Sequence, residues 1–488
     1  MKITLRNPLD VNTLATMAGG ELVLCGVSEK AVLTHICTDS READGGTLFC
    51  AIRGERVDGH DYMAKAADLG CNLFLCERLP DSMPPCYAAI LVPDTVEALG
   101  RLAGARREGD LRDLPVVAVT GSVGKTTTKE TIYAVLSAAK TVFKKDGNYN
   151  STIGLPLSFM EVSSCVEAAV LEMGMSSRGE IAAMTEAVRP DIAVIANVGS
   201  SHLEYLGTRE NIARAKLEIA RGLRAGGVLL INGDEPLLAH LGQDFGEDLP
   251  VIPDGIRTLR VSLARAHDAD YAARNLTVRD GGMSFDLATP EGVWRDLWIP
   301  AVGEHLVWAA SFAAAVGQLS GLTEGQVKDG LAAYRPADMR QNTRVVDGIT
   351  IIEDCYNAAP ESMKAALNVL HLTAASTPTA RRIAVLGDMK ELGENTVALH
   401  RGVGAACAER GVDILITVGE LGAEIARGAL EAGMTAGAVC VTGGADTYAD
   451  TAAYLTSLLR DGDCVLFKAS RSMALEKIAQ TVTDKPNN

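Results

Sequence analysis

The chain has 488 residues, of which 47% are apolar and 22% charged; these proportions are typical of a folded protein and exclude a disordered or collagen-like one. Its 62 Asp and Glu outnumber its 46 Lys and Arg, giving a formal net charge of −16, which argues against general binding to nucleic acids or anionic membranes. At the usual domain size, this length predicts about three domains.

The amino-terminal segment and the cysteines indicate the compartment. No apolar run follows Lys2, so no secretory signal is predicted, and no apolar stretch is long enough to span a bilayer. The 11 cysteines, an odd number without a CxxC pair, favour reduced and mostly buried thiols over a disulfide framework or a zinc site. We therefore expect a cytoplasmic protein without membrane insertion.

The first hundred residues alternate short apolar strands with helical stretches. The pattern predicts a helix over 62–69 and a strand over 88–92, within a small α/β domain. The polar segment 106–114 interrupts the apolar pattern just before Pro115 and is interpreted as a linker. We place the first domain boundary near residue 113.

From Pro115 the pattern becomes strand, helix, strand. We predict strands over 116–119, 168–171 and 192–195 and a helix over 125–139, which together imply a parallel sheet. Alternating residues around Asp280-Gly281-Gly282, within 275–300, predict an added antiparallel strand pair. A helix over 306–319 leads to a second boundary near Arg335.

The last third of the chain has a doubly wound pattern. Apolar runs at 349–352, 383–386, 414–418, 438–441 and 465–467 alternate with helical stretches. The predicted fold class is therefore α/β with three domains. These are a small N-terminal α/β domain (1–113), a central P-loop parallel-sheet ATPase domain with the added strand pair (114–335), and a C-terminal Rossmann-like domain (336–488).

A glycine-rich turn between a predicted strand and a predicted helix indicates an ATP site. Gly121 and Gly124 let backbone N–H groups face a phosphate, Lys125 adds positive charge, and Thr126 can hold Mg²⁺. The match is partial, because the full phosphate-loop pattern has glycine where Val119 stands. The predicted ATP-binding residues of this turn are Gly121, Ser122, Val123, Gly124, Lys125, Thr126 and Thr127.

Two neighbouring strands end in side chains that suit a metal ion. Glu172 follows one strand and His202 comes shortly after the next. Because ligands gather at the carboxyl ends of parallel strands, we expect both to converge with the glycine-rich turn. By itself a strand-end glutamate is usually a solvated loop residue, and a single histidine is more often structural.

Segments along the chain then resemble the Mur ligases in order and approximate spacing. Those of the central domain are TGSVGKTT (120–127), GNYNSTIGLP (147–156), LEMG (171–174), NVGSSHLEYLG (197–207), IARAKLEI (212–219) and INGDEP (231–236). Further segments resemble the family member that adds D-alanyl-D-alanine to UDP-N-acetylmuramoyl-tripeptide. They are TDSR (38–41), DGHDY (58–62), EDCYNAAPESMKAAL (353–367), VLGDMKELG (385–393) and VLFKASRSM (465–473).

The resemblance implies roles for residues that the sequence pattern alone leaves ambiguous. It implies that ATP is contacted by Lys125, Asn148, Asn150, Arg340 and Asp354. It implies that Mg²⁺ is held by Thr126, Glu172, His202 and a carbamylated Lys216. Lys125, Lys216 and His202 would then form the catalytic set, with His202 as a metal ligand and not a base. Without the resemblance, Lys216 would be interpreted as an exposed helical lysine.

The outer domains carry the expected substrate contacts. Thr38, Asp39, Ser40 and Arg41 resemble the family's uridine-nucleotide loop, although an Asp- and Ser-rich turn is ordinarily just a turn. Tyr356 and Asn357 are expected to position the incoming dipeptide. The chain departs from the family where Leu306 and Ala309 replace asparagines after Gly303-Glu304-His305, so adenine contacts are not expected from these two positions.

The implied reaction is amide formation through an acyl phosphate, with ATP and Mg²⁺ as cofactors and UDP-N-acetylmuramoyl-tripeptide and D-alanyl-D-alanine as partners. We expect a monomer that closes around its substrates, with Arg340 and Asp354 too far from Lys125 to share one ATP when no ligand is bound. The third residue of the accepted peptide and the group that deprotonates the incoming amine stay open.

Three alternatives remain. A sibling ligase that adds a single diamino acid typically has a DNPR motif, which is absent here, whereas Tyr356-Asn357-Ala358 favours the dipeptide-adding member. A polyglutamate ligase would not need the 38–41 loop. A non-catalytic nucleotide-binding module would have no use for Glu172, His202 and Lys216 together.

Overall fold

The computed structural model describes residues 1–80, 83, 85–239, 252–263, 268–375 and 379–483, which form three sheets in succession along the chain. The first sheet has the order β1-β3-β4-β5-β6-β2, with β3 to β6 parallel and both edge strands antiparallel. Its strands are β1 (Lys2–Asp10), β2 (Glu21–Cys25), β3 (Val32–Cys37), β4 (Thr47–Cys50), β5 (Leu73–Cys76) and β6 (Tyr87–Leu91). Its helices are α1 (Val11–Ala18), α2 (Met63–Asp68) and α3 (Thr95–Glu108).

The predicted linker over 106–114 is wrong. Helix α3 continues through Glu108, and the Arg107 side chain is buried. Its guanidinium donates to the carbonyl oxygens of Leu111 and Leu114, both at 2.7 Å, and to Asp191 Oδ2 at 3.0 Å. Through Arg107, this segment is hydrogen-bonded to the central domain.

The central sheet has nine strands in the order β15-β14-β13-β12-β11-β10-β7-β9-β8, parallel from β8 to β13. These strands are β7 (Val116–Thr120), β8 (Val142–Phe143), β9 (Ala168–Glu172), β10 (Ile192–Ile195), β11 (Val228–Asn232), β12 (Arg257–Ser262), β13 (Tyr271–Arg279), β14 (Gly282–Thr289) and β15 (Gly292–Ile299). The helices are α4 (Lys125–Ser137), α5 (Gly154–Met160), α6 (Glu180–Val188), α7 (Leu203–Leu206), α8 (Arg209–Leu217), α9 (Pro236–Ala239), α10 (Glu304–Leu319) and α11 (Glu324–Ala332).

The predicted antiparallel pair is present, with one strand more than predicted. Asp280 and Gly281, both with positive φ, form the tight turn between β13 and β14. The chain then turns again before Gly292, and β15 adds a third antiparallel strand.

The third sheet has the order β16-β17-β21-β18-β19-β20 and is parallel except for β16, an antiparallel edge strand that the sequence analysis did not predict. Its strands are β16 (Asn342–Val346), β17 (Ile349–Glu353), β18 (Arg382–Gly387), β19 (Ile414–Val418), β20 (Val439–Thr442) and β21 (Cys464–Lys468). Its helices are α12 (Pro360–Ala374), α13 (Thr396–Glu409), α14 (Gly422–Glu431), α15 (Tyr448–Leu458) and α16 (Glu476–Thr483).

Apolar cores on both faces of the central sheet fix where its strands end. Val117 and Val119 of β7 pack into the core on one face, whereas Val116 and Ala118 pack into the core on the other. Because β7 is buried on both faces, polar residues that can reach a ligand begin only past its carboxyl end, at the glycine-rich turn.

Among the described helices, none combines the length and apolar composition needed to cross a membrane. All 11 cysteines are free thiols, and seven of them are buried.

Candidate active site

A cavity of about 1090 Å³ opens at the carboxyl ends of the central strands and is closed on its other side by the third domain. Most of the predicted ATP, metal and dipeptide residues line it. They are Ser122, Val123, Gly124, Lys125, Thr126, Thr127, Asn148, Asn150, Glu172, His202, Arg340, Asp354, Tyr356 and Asn357. The strand-end rule therefore predicted the location of the cavity correctly.

The glycine-rich turn leads directly into α4. Gly124 precedes the helix with a φ of 76°, a left-handed conformation that favours glycine. Lys125 Nζ donates to the carbonyl oxygens of Gly121 at 2.8 Å and Ser122 at 3.3 Å. Burial lowers the pKa of Lys125, opposed by the attraction of Glu172. The Lys125 ammonium thus lies against the carbonyl oxygens of its own turn at the cavity wall, where an anionic ligand would supply a negative charge.

Asn197, which the sequence analysis did not single out, holds this turn. Its Oδ1 accepts from the backbone N–H groups of Ser122 and Val123, each at 3.0 Å, and its Nδ2 donates to the Val123 carbonyl at 2.9 Å. Asn197 opens the loop that contains His202, so its place just after β10 was the available signal. The side chain fixes the conformation of the turn from the neighbouring strand.

Thr126, Glu172 and Asn150 form one hydrogen-bonded group at the cavity wall. Thr126 Oγ1 donates to Glu172 Oε2 at 2.8 Å, and Asn150 Nδ2 donates to Glu172 Oε1 at 2.9 Å. A hydroxyl and a carboxylate beside a phosphate site are donors that Mg²⁺ accepts, with substrate phosphates and water completing its shell. Among the described residues, no group of three or more His, Cys, Asp and Glu has metal-binding geometry, so protein carboxylates alone do not form a closed cage.

Lys216 is buried, contrary to the interpretation that its sequence context favours. Only 1% of the residue is exposed, and no hydrogen bond or ion pair to its ammonium is found within the described parts of the chain. Burial, reinforced by the nearby positive charge of Lys125, lowers the pKa of Lys216 well below its ordinary value. Burial therefore favours the neutral, nucleophilic form of this amine. Lys216 does not line the cavity itself.

His202 lies between the central and third domains. Its backbone is left-handed, with a φ of 64°, and burial together with Lys125 and Lys216 lowers its pKa to about 4. The ring is neutral near pH 7 and can offer a nitrogen lone pair. Glu391 Oε2 of the third domain is 2.9 Å from His202 Nδ1, but the two groups are not aligned as a hydrogen bond.

The opposite wall of the cavity comes from the third domain. Lys468 Nζ donates to Asp354 Oδ2 at 2.6 Å and to the Asn357 carbonyl at 3.0 Å, and the lysine is buried. The Arg340 guanidinium carbon lies 4.1 Å from the centre of the Tyr356 ring. Lys468 was not predicted, although a lysine that ends the buried β21 was a usable signal.

The expected open cleft is wrong for the central and third domains. Lys125, Arg340 and Asp354 line the same cavity, and Lys125 feels the charge of Arg340. Glu361 of α12 accepts hydrogen bonds from the backbone N–H of Ser200 at 3.0 Å and from its hydroxyl at 2.8 Å. These contacts dock the third domain onto the loop between Asn197 and His202 without a ligand.

The first-domain loop is separate from this cavity. Thr38, Asp39, Ser40 and Arg41 are not among the residues that line it, and neither is Gly121. Asp39 accepts from the Arg41 backbone N–H at 3.0 Å and from its Nε at 2.9 Å. The hydrogen bonds from Arg41 hold the pKa of Asp39 well below its ordinary value. The loop is thus an ordered turn whose proposed ligand role remains a prediction.

Comparisons with known proteins agree along the length of the chain. Family models match for the Mur ligase family, catalytic domain (residues 32–107), the Mur ligase middle domain (119–317) and the Mur ligase, glutamate ligase domain (339–471). The chain is 38% identical over 464 residues to the UDP-N-acetylmuramoyl-tripeptide--D-alanyl-D-alanine ligase of Bacillus subtilis, an alignment that covers 94% of this chain and 95% of that relative.

Two solved structures are similar over almost the whole chain. A crystal structure of MurF from Acinetobacter baumannii superposes with a TM-score of 0.86 at 29% identity, covering 99% of this chain and 100% of that one. MurF ligase from Thermotoga maritima in complex with ADP superposes with a TM-score of 0.78 at 29% identity, covering 92% and 96%. The three-domain α/β architecture predicted from the sequence is therefore confirmed.

Proposed function

The chain belongs to the Mur ligase family, and we propose that it joins D-alanyl-D-alanine to UDP-N-acetylmuramoyl-tripeptide while ATP is converted to ADP and inorganic phosphate. The observation that carries the proposal is the single cavity in which the phosphate turn with Lys125 faces Arg340, Asp354 and Tyr356 of the third domain. The substrates are those in the name of the Bacillus subtilis relative, and the ADP in the Thermotoga maritima relative supports the nucleotide.

The reaction proceeds in two displacements. A terminal carboxylate oxygen of the tripeptide attacks the γ-phosphorus of ATP, forming an acyl phosphate and releasing ADP. The dipeptide amine then attacks the acyl carbon, loses a proton and expels inorganic phosphate. Lys125 lies where it can neutralise charge on the transferred phosphoryl group, and Asn197 keeps the turn in shape for that contact.

The donors near the phosphate turn fit Mg²⁺. Thr126 Oγ1 and Glu172 would hold the ion beside the phosphates, with His202 as a further ligand in its neutral form. When bound, Mg²⁺ supplies charge neutralisation at the phosphoryl oxygens. Asn150 keeps the Glu172 carboxylate oriented toward the cavity.

We infer that Lys216 is carbamylated in the active enzyme. A buried neutral amine can add CO₂, lose a proton and become an anion, and this anion would offset the positive charge of Lys125 and of bound cations. Among the described residues, no carboxylate near Lys216 supplies such a negative charge in the unmodified chain. The carbamate of Lys216 would then be a further ligand for Mg²⁺.

The remaining substrates are assigned by domain. The nucleotide of UDP-N-acetylmuramoyl-tripeptide lies on the first-domain loop of Thr38 to Arg41, and the peptide reaches the cavity from there. The dipeptide lies against Tyr356 and Asn357; Arg340 stacks on the Tyr356 ring, and Lys468 Nζ donates to the Asn357 carbonyl oxygen. Asn148 and Arg340 take part in binding ATP. The protein works as a monomer, with the three domains divided near residues 113 and 335.

A substrate matrix tests this function. The protein is incubated with ATP, Mg²⁺ and UDP-N-acetylmuramoyl-tripeptide, and with D-alanyl-D-alanine, a diamino acid or glutamate as the amine. We expect phosphate release and a ligated product with D-alanyl-D-alanine. Phosphate release with the diamino acid or glutamate instead would show that one of these is the amine substrate. No phosphate release with any of the three amines would contradict ligase activity.

A further inference from the structure

The chain segment between α11 of the central domain and β16 of the third domain ends at Gln341, whose side chain contacts the central domain. Gln341 Nε2 donates to the carbonyl oxygen of Val302 at 2.5 Å, and its Oε1 is 2.8 Å from His305 Nε2. The next residue, Asn342, already begins β16 of the third domain. Gln341 therefore joins the first strand of one domain to the start of α10 in the other.

The direction of the contact between Gln341 and His305 follows from the chemistry of the two side chains. The carbonyl of Val302 can only accept, so it takes the amide NH₂ of Gln341 and leaves the amide oxygen facing His305. His305 must then carry its proton on Nε2. Burial lowers the pKa of His305, so the ring is neutral and has a single N–H to donate.

The loop before α10 is shaped to hold this ring. Gly303 has a φ of 131°, and a Cβ at that position would come within 2.7 Å of His305 Cε1 and 3.0 Å of Val369 Cγ2 on α12. Any side chain larger than hydrogen would displace the ring or the third-domain helix. His305 is thus fixed in place at the seam between the domains.

Arg340 lies between two anchored neighbours. Met339 and Gln341 both have left-handed backbones, with φ of 56° and 52°, which non-glycine residues adopt only when their surroundings hold them there. The Met339 carbonyl accepts from the Tyr356 backbone N–H at 3.1 Å, and the Gln341 side chain is held as described. Between these two anchors, the Arg340 guanidinium stacks on the Tyr356 ring at the cavity wall.

We propose that Gln341, held by His305, is a positioning residue that sets the Arg340 guanidinium toward the nucleotide. The inference rests on the proposed function, in which Arg340 contacts ATP. It also gives His305 a role through its contact with Gln341. In this proposal His305 holds the Gln341 side chain, and its effect on ATP binding is transmitted through Arg340.

The test is a double-mutant cycle on the full-length enzyme. Gln341→Leu keeps the approximate size of the side chain and removes both hydrogen bonds, so we expect KM for ATP to rise about tenfold while KM for D-alanyl-D-alanine stays within about twofold. Gln341→Leu combined with Arg340→Ala should have the same KM for ATP as Arg340→Ala alone. Gln480→Leu, an exposed site on α16, is the matched control and should leave every KM unchanged.

The outcomes separate this inference from the proposed function. An unchanged KM for ATP in Gln341→Leu, or additive effects in the double variant, would overturn the positioning role. An unchanged KM for ATP in Arg340→Ala would instead contradict the assignment of Arg340 to ATP. If Gln341→Leu folds poorly by its melting temperature, His305→Phe removes the same hydrogen bond from the central domain and must give the same selective rise.

Discussion

The two walls of the cavity each contain a lysine, buried on the third-domain wall and partly buried on the central wall, and the two ammonium groups have different partners. Lys468, on the third-domain wall, forms an ion pair with Asp354 at 2.6 Å, so its charge is balanced within the protein. Lys125, on the central wall, donates only to carbonyl oxygens of its own turn among the described residues. A partly buried ammonium that forms no ion pair with a carboxylate is costly unless a ligand supplies the anion. This difference supports the proposed binding of phosphates at Lys125 and indicates a structural role for Lys468.

Lys125→Ala should give the largest loss of activity. Removing the ammonium leaves charge on the phosphoryl group without its neutralising partner, so we expect ligation to fall by at least about a hundredfold. The melting temperature should change little, because the Lys125 ammonium forms no ion pair with any of the described carboxylates. Circular dichroism and phosphate release measure the two effects, with the exposed Lys477→Ala as control. Ligation at the wild-type rate in Lys125→Ala would remove the basis for the ATP site.

Lys216→Ala tests a second lysine of the central domain, one that does not line the cavity. If the anion of a carbamate is what this position supplies, the variant should lose most of its activity, and added bicarbonate should not restore it. Short carboxylic acids can enter the space left by the side chain and should restore part of the rate. Activity assays with acetate and with chloride at equal ionic strength distinguish this from a salt effect. An equal response to both salts, or full activity without additives, would contradict the carbamate.

Lys468→Met tests the ion pair with Asp354 on the third-domain wall. The variant leaves the Asp354 carboxylate, only about a fifth exposed, without its partner, and we expect a loss of stability of about 3 kcal/mol. The double variant with Asp354→Asn should recover part of it, because the unpaired charge is then gone. Chemical denaturation measures both. A Lys468→Met variant as stable as the wild type, with activity lost as in Lys125→Ala, would reverse the roles given to the two lysines.

Asn197→Ala should have the smallest effect of the four. It leaves the Val123 backbone N–H without its acceptor and the Ser122 N–H with only the backbone carbonyl oxygen of position 197, at 3.3 Å, so we expect a rise in KM for ATP of about tenfold and a stability loss of about 1 kcal/mol. Asn197→Asp keeps that acceptor and should bind ATP better than Asn197→Ala does. Equal KM values for ATP in the two variants would show that the turn does not depend on this side chain.

The features that were predicted from the sequence depend on residues close together in the chain. The phosphate turn, Thr126 and Glu172 were predicted as site residues because they lie at or shortly after the carboxyl ends of buried strands, and parallel strands share one carboxyl edge. Asn197, Gln341 and Lys468 were missed because their partners are far along the chain: the Lys468 and Asp354 contact joins residues 114 positions apart. Burial of Lys216 likewise depends on packing that its polar helix does not reveal. The supposed linker over 106–114 failed for the same reason, since Arg107 contacts Asp191 of another domain.

The most direct test of the account follows the oxygen atoms of the substrate. UDP-N-acetylmuramoyl-tripeptide labelled with ¹⁸O in its terminal carboxylate is incubated with ATP, Mg²⁺ and D-alanyl-D-alanine, and the peptide product and phosphate are analysed by mass spectrometry. Because the attacking carboxylate oxygen stays with the phosphoryl group, the account predicts a pentapeptide product and the transfer of one ¹⁸O to inorganic phosphate. Pentapeptide formed with unlabelled phosphate, or labelled substrate returned without product, would contradict ligation through an acyl phosphate.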